Sequence, residues 1–378
     1  MRVAGLFAGI GGIELGLHRA GHETTLLCEV WDPAVDVLQA QFPGVPVHGD
    51  IVTLRSFPDV DLVTAGFPCT DLSQAGRTAG IDGGASGLVG HLFRLLDSRA
   101  RPEWVLVENV RNLLVLGRGD GMRFITDQLE QFGYTWAYRV VDSRFTGVPQ
   151  RRQRVILLAS LSGDPRAVLH ADEAGAREDY REDAHGFYWT EGLRGLGWAQ
   201  DAVPTLKGGS TIGIPSPPAV WVPEQPLGRR LVVPSVEDAE AMQGFPPGWT
   251  SPVTGARQVG TRWKLVGNAV TVGVAQWVGE RLENPGTAVT NYRPLSSGER
   301  WPIAAYGNRH GRWVAPDLSM FPLLRDYRHL LNAMDVDRAR PVSHRGSSGF
   351  YSRLQRSSLR VSDHFRADVA EHVAATAA

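Results

Sequence analysis

Two side chains in this 378-residue chain stand where they could do covalent chemistry together. Cys69 ends Gly66-Phe67-Pro68-Cys69, directly after the apolar run Asp61-Leu62-Val63-Thr64-Ala65, and Glu108 follows Trp104-Val105-Leu106-Val107. Each run reads as a buried strand, so thiol and carboxylate both fall at strand carboxyl ends, where open α/β sheets bind their ligands. A thiolate adding to C6 of a pyrimidine makes C5 nucleophilic, provided N3 is protonated or hydrogen-bonded as charge moves onto the ring. Glu108 could do this if burial raises its pKa, and C5 could then take a methyl group from a sulfonium donor. Taken alone, a free cysteine is more often a small buried hydrophobe. The flanking Gly66 and Pro68 instead build a loop.

The elements that must position these groups begin at the amino end. Val3–Phe7 reads as a first strand and Ala8-Gly9-Ile10-Gly11-Gly12 as a tight turn into a helix carrying Ile13, Leu17 and Ala20. Such a turn lets backbone approach a ligand closely and offers free N–H groups at the helix start. It is not the dinucleotide fingerprint, because Glu14 occupies the place of the third glycine. A second strand, Thr24–Cys28, ends at Glu29, twenty residues after Gly9, where doubly wound sheets place a ribose-binding acid. After a third strand, Val45–His48, Asp50 could accept from an adenine amino group with Ile51 on the ring, although an isolated Asp there is more often a helix cap. Asp71–Gly90 carries six glycines and reads as a mobile lid. A helix is expected over His91–Ser98. An amphipathic one over Val266–Leu282 should pack back on the first domain.

Composition bounds the rest. A hydrophobic fraction of 43% and a charged fraction of 21% describe an ordinary globular protein of two or three domains. There is neither an apolar run of about 18 residues nor a basic-then-apolar leader, so no membrane segment and a cytoplasmic location are expected. Cys28 and Cys69 cannot build a disulfide framework or a four-thiolate metal site, and no metal is expected. The net charge of −1 conceals a gradient: residues 286–378 hold 13 Arg against 8 Asp plus Glu. That excess is as compatible with a solvated face as with contact to a DNA backbone.

Six motifs, in order and spacing, resemble those of the DNA cytosine-C5 methyltransferases. They are Phe7–Gly12, Gly66-Phe67-Pro68-Cys69, Glu108-Asn109-Val110, Gln150-Arg151-Arg152-Gln153-Arg154, the run from Arg230-Leu231-Val232-Val233-Pro234 to Gln243-Gly244-Phe245-Pro246, and Gly267-Asn268-Ala269-Val270. The resemblance covers about residues 1–283. It implies an α/β fold, a Rossmann-like sheet for S-adenosylmethionine, with a smaller irregular target-recognition domain and a C-terminal extension. The domains would be 1–160 plus 260–283 (catalytic), 161–259 (target recognition) and 286–378 (extension). The implied reaction is methyl transfer to C5 of a cytosine flipped out of DNA. Cys69 would be the nucleophile, Glu108 the N3 partner, Asn109 a support for the Cys69 loop, and Arg154 a donor to the base O2 and a support for Glu108. Phe7, Gly9, Gly11 and Gly12 would surround the methionine part of the cofactor, Glu29 would meet the ribose, Asp50 and Ile51 the adenine, and Asn268 and Val270 would close the pocket. Ser73 and Arg152 would touch DNA phosphate.

Three positions depart from the family's pattern. Thr70-Asp71-Leu72 follow the cysteine where Gln, Pro and Phe are common. Val30-Trp31-Asp32 follow the ribose acid, so either Val30 or Trp31 packs on adenine, and Ser86 replaces an arginine of the lid. The implied partner is double-stranded DNA, for a monomeric enzyme of a prokaryote or phage. A cognate restriction endonuclease or an orphan role are both compatible with it. The rival readings are the same chemistry on transfer RNA and a DNA-binding homologue without turnover. No base preference follows from residues 160–258.

Overall fold

The computed structural model describes residues 1–68, 87–97, 101–193, 195–209, 216–255, 258–296, 298–311 and 313–377. Cys69, Ser73 and the glycine-rich segment through Ser86 lie outside the described residues. Two compact units divide the chain. The first comprises Met1–Thr146, Gln153–Ala176 and Val270–Leu324; the second comprises Gly147–Arg152, Arg177–Ala269 and Arg325–Ala378.

The first unit is built on one ten-stranded sheet. Its strands and main helices are β1 (Arg2–Leu6), α1 (Gly12–Arg19), β2 (Glu23–Cys28), α2 (Asp32–Gln41), β3 (Val47–His48), β4 (Leu62–Ala65), α3 (Leu88–Leu96), β5 (Trp104–Val110), α4 (Asp120–Gln131), β6 (Thr135–Asp142), β7 (Gln153–Ser160), α5 (Val272–Glu283), β8 (Tyr292–Pro294), β9 (Ala304–Gly307) and β10 (Val314–Pro316). The strand order is β8-β10-β9-β6-β7-β5-β4-β1-β2-β3. Pairing is parallel from β3 to β5 and antiparallel from β5 to β8.

Alternation explains why the central strands are apolar throughout. Ala4, Leu6, Val63, Ala65, Val105 and Val107 face one core with Leu92, Phe93 and Trp136, while Val3, Leu62 and Leu106 face another with Leu17, Trp277 and Val278. A sheet covered on both faces needs hydrophobic residues at successive positions. The expected long helix over Val266–Leu282 is two helices, Gln258–Asn268 and α5, separated at Ala269–Thr271. Helix α5 packs on α1 at Gly16, where a β-carbon would run into the Val272 carbonyl and the Ala275 side chain.

The second unit carries a five-stranded antiparallel sheet in the order Trp198–Gln200, His185–Phe187, Ala219–Trp221, Leu231–Val233, Arg340–Pro341. Helices His344–Arg356 and Asp363–Ala375 cover it, burying Phe350, Leu354, Phe365 and Val369 against Phe187, Trp221 and Leu231. Residues 286–378, expected as a separate extension, are thus shared out: 286–324 belong to the first unit and 325–378 to the second. No described helix is long and apolar enough to cross a membrane.

An aromatic cluster fastens β8–β10 to the sheet. Trp301 lies 5.3 Å from Trp313, 5.9 Å from Tyr138 and 6.1 Å from Trp136 between ring centroids, and its Nε1 donates to Gly119 O at 3.1 Å. Truncating so large a buried ring leaves a cavity and strands that carbonyl. Trp301→Ala is expected to cost about 3–5 kcal/mol in urea unfolding; a loss below about 1 kcal/mol would show that the cluster is not what holds these strands.

Candidate active site

Strand β1 pairs in parallel with both β2 and β4, so the sheet's connections diverge on either side of it and leave a crevice at the strands' carboxyl ends. The glycine turn lies at this rim. Phe7 (φ 55°), Gly9 (φ 56°) and Gly11 (φ 79°) all take left-handed backbone, which is unusual for phenylalanine and a feature of ligand-clamping turns. Gly11 has no room for a β-carbon because the Phe42 ring lies against it, whereas nothing lies within 4 Å of the corresponding position on Gly9. Gly9 therefore presents an open face, and Gly12 starts α1.

Glu29, at the end of β2, locks the turn. Its Oε2 accepts from Gly9 N at 2.8 Å, and its Oε1 accepts from Val30 N at 3.0 Å and Trp31 N at 2.9 Å. A carboxylate has about four acceptor sites, so one remains for a further donor. Val30 is 69% exposed, while Trp31 is half-buried at the start of α2. Asp50 Oδ1 accepts from Val52 N at 2.9 Å, the cap-like use expected of an isolated Asp, and Ile51 is buried. Arg94 of α3 holds this turn through the Ile51 and Leu54 carbonyls.

The chain leaving β4 comes next along the rim. Phe7 meets Phe67 edge-on at 6.1 Å, and Asn109 Nδ2 donates to Phe67 O at 3.0 Å, two residues before Cys69. Cross-strand geometry sets the carboxylate. Glu108 stands opposite Ile156 and Val110 opposite Arg154, so Glu108 and Arg154 are diagonal neighbours on one face. Arg154 Nε lies 2.9 Å from Glu108 Oε1, both side chains being nearly buried. A β-carbon on Gly66 would stand 3.7 Å from Glu108 Oε2 and 4.0 Å from Val270 Cγ2. The carboxylate thus lies beside the backbone that leads to Cys69.

Residues 1–185 match the family model described as C-5 cytosine-specific DNA methylase. A Type II methyltransferase of Bacillus subtilis, M2.BsuMI, is 44% identical, covering 97% of this chain and 96% of its own length. M.NlaX, a Type II methyltransferase of Neisseria lactamica, is 30% identical over 77% of this chain and 98% of its own. The chain belongs to the C-5 cytosine-specific DNA methylases. Among solved structures, the S. pombe Dnmt2 methyltransferase aligns with a TM-score of 0.56 at 16% identity, over 75% of this chain and 98% of that one. A putative DNA modification methyltransferase from an E. coli prophage aligns with a TM-score of 0.50 at 17% identity, over 75% and 99% respectively. These likenesses concern the fold.

Arg152, expected at a DNA phosphate, is 2% exposed, and its guanidinium donates to Leu206 O, Gly267 O and Ala269 O as a strut within the second unit. Arg151, one position earlier, is the exposed one. In the same unit Asn268 packs on Gly208 and Gly267 on the Lys207 backbone.

Glu14 was the residue sequence reasoning passed over. It is 1% exposed, accepts from Thr64 Oγ1 at 3.0 Å through Oε1, presses on Gly5, and leaves Oε2 buried without a hydrogen bond. Its place four residues after Ile10 and three before Leu17, on the apolar stripe of α1, was the available signal. Burial is the main reason its pKa is pushed up from 4.5 to about 7, and the nearby Glu29 charge adds to this. Because the folded pKa is the higher one, stability is greatest below pH 4.5 and falls as pH rises to 7. Glu14→Gln, which mimics the protonated acid, should match the wild type near pH 5 and exceed it at pH 8 by up to about 3 kcal/mol in urea unfolding. An unchanged pH profile in the variant would refute this account.

Proposed function

We propose that this methylase transfers a methyl group from S-adenosylmethionine to C5 of a cytosine flipped out of double-stranded DNA, through a covalent bond between Cys69 and C6. The observation that carries the reading is the Glu108–Arg154 pair beside Gly66, on the rim shared with the glycine turn. In the proposed sequence the Cys69 thiolate adds to C6, the C5=C6 electron pair moves into the ring, and Glu108 gives its proton or hydrogen bond to N3. C5 then takes the methyl group. Loss of the C5 proton to a base then expels the thiolate and restores the double bond, and N3 returns any proton it took to Glu108.

Arg154, fixed in a strand and held against Glu108, would donate to the base O2 and keep Glu108 aimed at N3. Asn109 would hold the backbone entering the Cys69 turn. The rim fits an adenosyl cofactor: an open Gly9, a Glu29 acceptor site left for a ribose hydroxyl, and Val270 facing Gly66. Phe7, Gly11 and Gly12 would border its methionine part and Asp50 and Ile51 its adenine, with half-buried Trp31 favoured over exposed Val30 for packing on the ring. Asn268 is assigned to the same pocket by its motif alone. When bound, the cofactor supplies an electrophilic methyl on a sulfonium. The Type II names of the relatives support a restriction-modification setting with a cognate endonuclease as partner.

Label transfer from tritiated cofactor, with DNA and RNA as competing substrates, tests the reading, and activity on DNA is expected. Cys69→Ala should abolish transfer and the covalent adduct on 5-fluorocytosine DNA, while cofactor binding by calorimetry persists. Arg154→Ala is expected to lower kcat by about 10²–10³-fold, the usual cost of removing one preorganised donor. Methylation by the Cys69→Ala variant would overturn the mechanism.

A further inference from the structure

We infer that the exposed face of the helix His344–Arg356 is a docking surface for the DNA phosphate backbone. The helix has three arginines and a histidine and no acidic residue. Its apolar side is spent: Phe350 and Leu354 are buried in the core of the second unit. Arg353 is spent as well, donating to Trp189 O at 2.6 Å. Arg345 and Arg356 are different. Eleven residues at 100° each bring them to within about 20° of one another around the axis, about 16 Å apart along it, and both are exposed.

Between them on that face lie Ser348, Gly349 and Ser352, too small to keep a strand of phosphates from the helix surface. Neither guanidinium has a hydrogen bond or ion pair among the described residues. The same holds for exposed Arg340 just before the helix and Arg360 just after it. On the helix Asp363–Ala375, two of the three acids are engaged elsewhere: Asp368 and Glu371 pair with Arg230 at 2.6 and 3.3 Å, and Asp368 also accepts from Trp221 Nε1, which leaves Asp363 at the helix start. Unmatched guanidinium groups on a rigid, small-residue face suit a polyanion, and phosphates bound there would release counterions.

The inference rests on the DNA reading above, and the experiment separates the two. Binding of the full-length chain to a duplex lacking any methylation site is measured between about 50 and about 200 mM salt. In R345Q/R356Q the slope of log K against log salt should become shallower by about 2, so the affinity lost across that range is about ten-fold smaller than in the wild type. Cofactor affinity should not change, and R345K/R356K, which keeps both charges, should restore the slope. A glutamine variant with the wild-type slope, or a lysine variant that fails to restore it, overturns the assignment while leaving the DNA reading intact. A wild-type chain that binds no duplex at any salt overturns both.

Discussion

The parallel pairing of β1 with β2 on one side and β4 on the other is the constraint from which the site follows. Parallel strands end at the same edge. The glycine turn after β1, Glu29 after β2, Gly66–Pro68 after β4 and Glu108–Asn109 at the end of β5 must therefore open on one rim, whatever their separation in sequence. Two-sided burial of these strands fixes their register, because slipping one residue would exchange the two faces of every strand. Within that frame the remaining freedom is small. Phe7 adopts a backbone conformation that costs on the order of 1 kcal/mol for an ordinary residue. The charge-assisted bond from Gly9 to Glu29 and the edge contact with Phe67 are what hold it there.

Polar groups at this rim are distributed by the same geometry. Glu108 points to the face that also carries Leu106, so its partner has to come from the neighbouring strand at a diagonal position, and Arg154 occupies it. Glu14 reaches the sheet between β1 and β4 from above, through α1. Only a glycine at position 5 leaves space for it, and among the described residues Thr64 is the side chain that bonds it. A carboxyl with one oxygen unbonded is tolerated in such a place because it can stay protonated near neutral pH.

Much of this was legible in the sequence where local pattern and spacing agree. The strand-turn-helix at Val3–Leu17, the acid twenty residues beyond Gly9 and the apolar runs before Cys69 and Glu108 each carry their own signal, and the elements fall close to where they were read. The legible part stops where an assignment depends on which face a residue takes. Arg151 and Arg152 are adjacent and chemically identical, so no pattern says which is the strut. Only the carbonyls of Leu206, Gly267 and Ala269, 54 to 117 residues away, decide it. The strands Thr135–Asp142 and Gln153–Ser160 also went unread. Arg139 interrupts the apolar run of the first, and among the described residues its guanidinium donates to Leu169, Asp172, Glu173 and Ser319; Val155–Ala159 of the second is unbroken.

The C-terminal quarter shows why a stretch of even composition need not be one structural piece. Its aromatic anchors lie in two groups, Trp301 and Trp313 in one and Phe350 and Phe365 in the other, and each group completes a different core. The chain between them has to divide. Its charge is of two kinds: Arg293, Arg338, Arg353 and Arg366 are tied to carboxylates or carbonyls nearby, whereas the guanidinium groups of Arg340, Arg345, Arg356 and Arg360 are not, among the described residues. Net charge summed over the segment mixes both kinds. What a polyanion can meet is the exposed and uncompensated fraction, and helical spacing sets two of those four arginines on a single face.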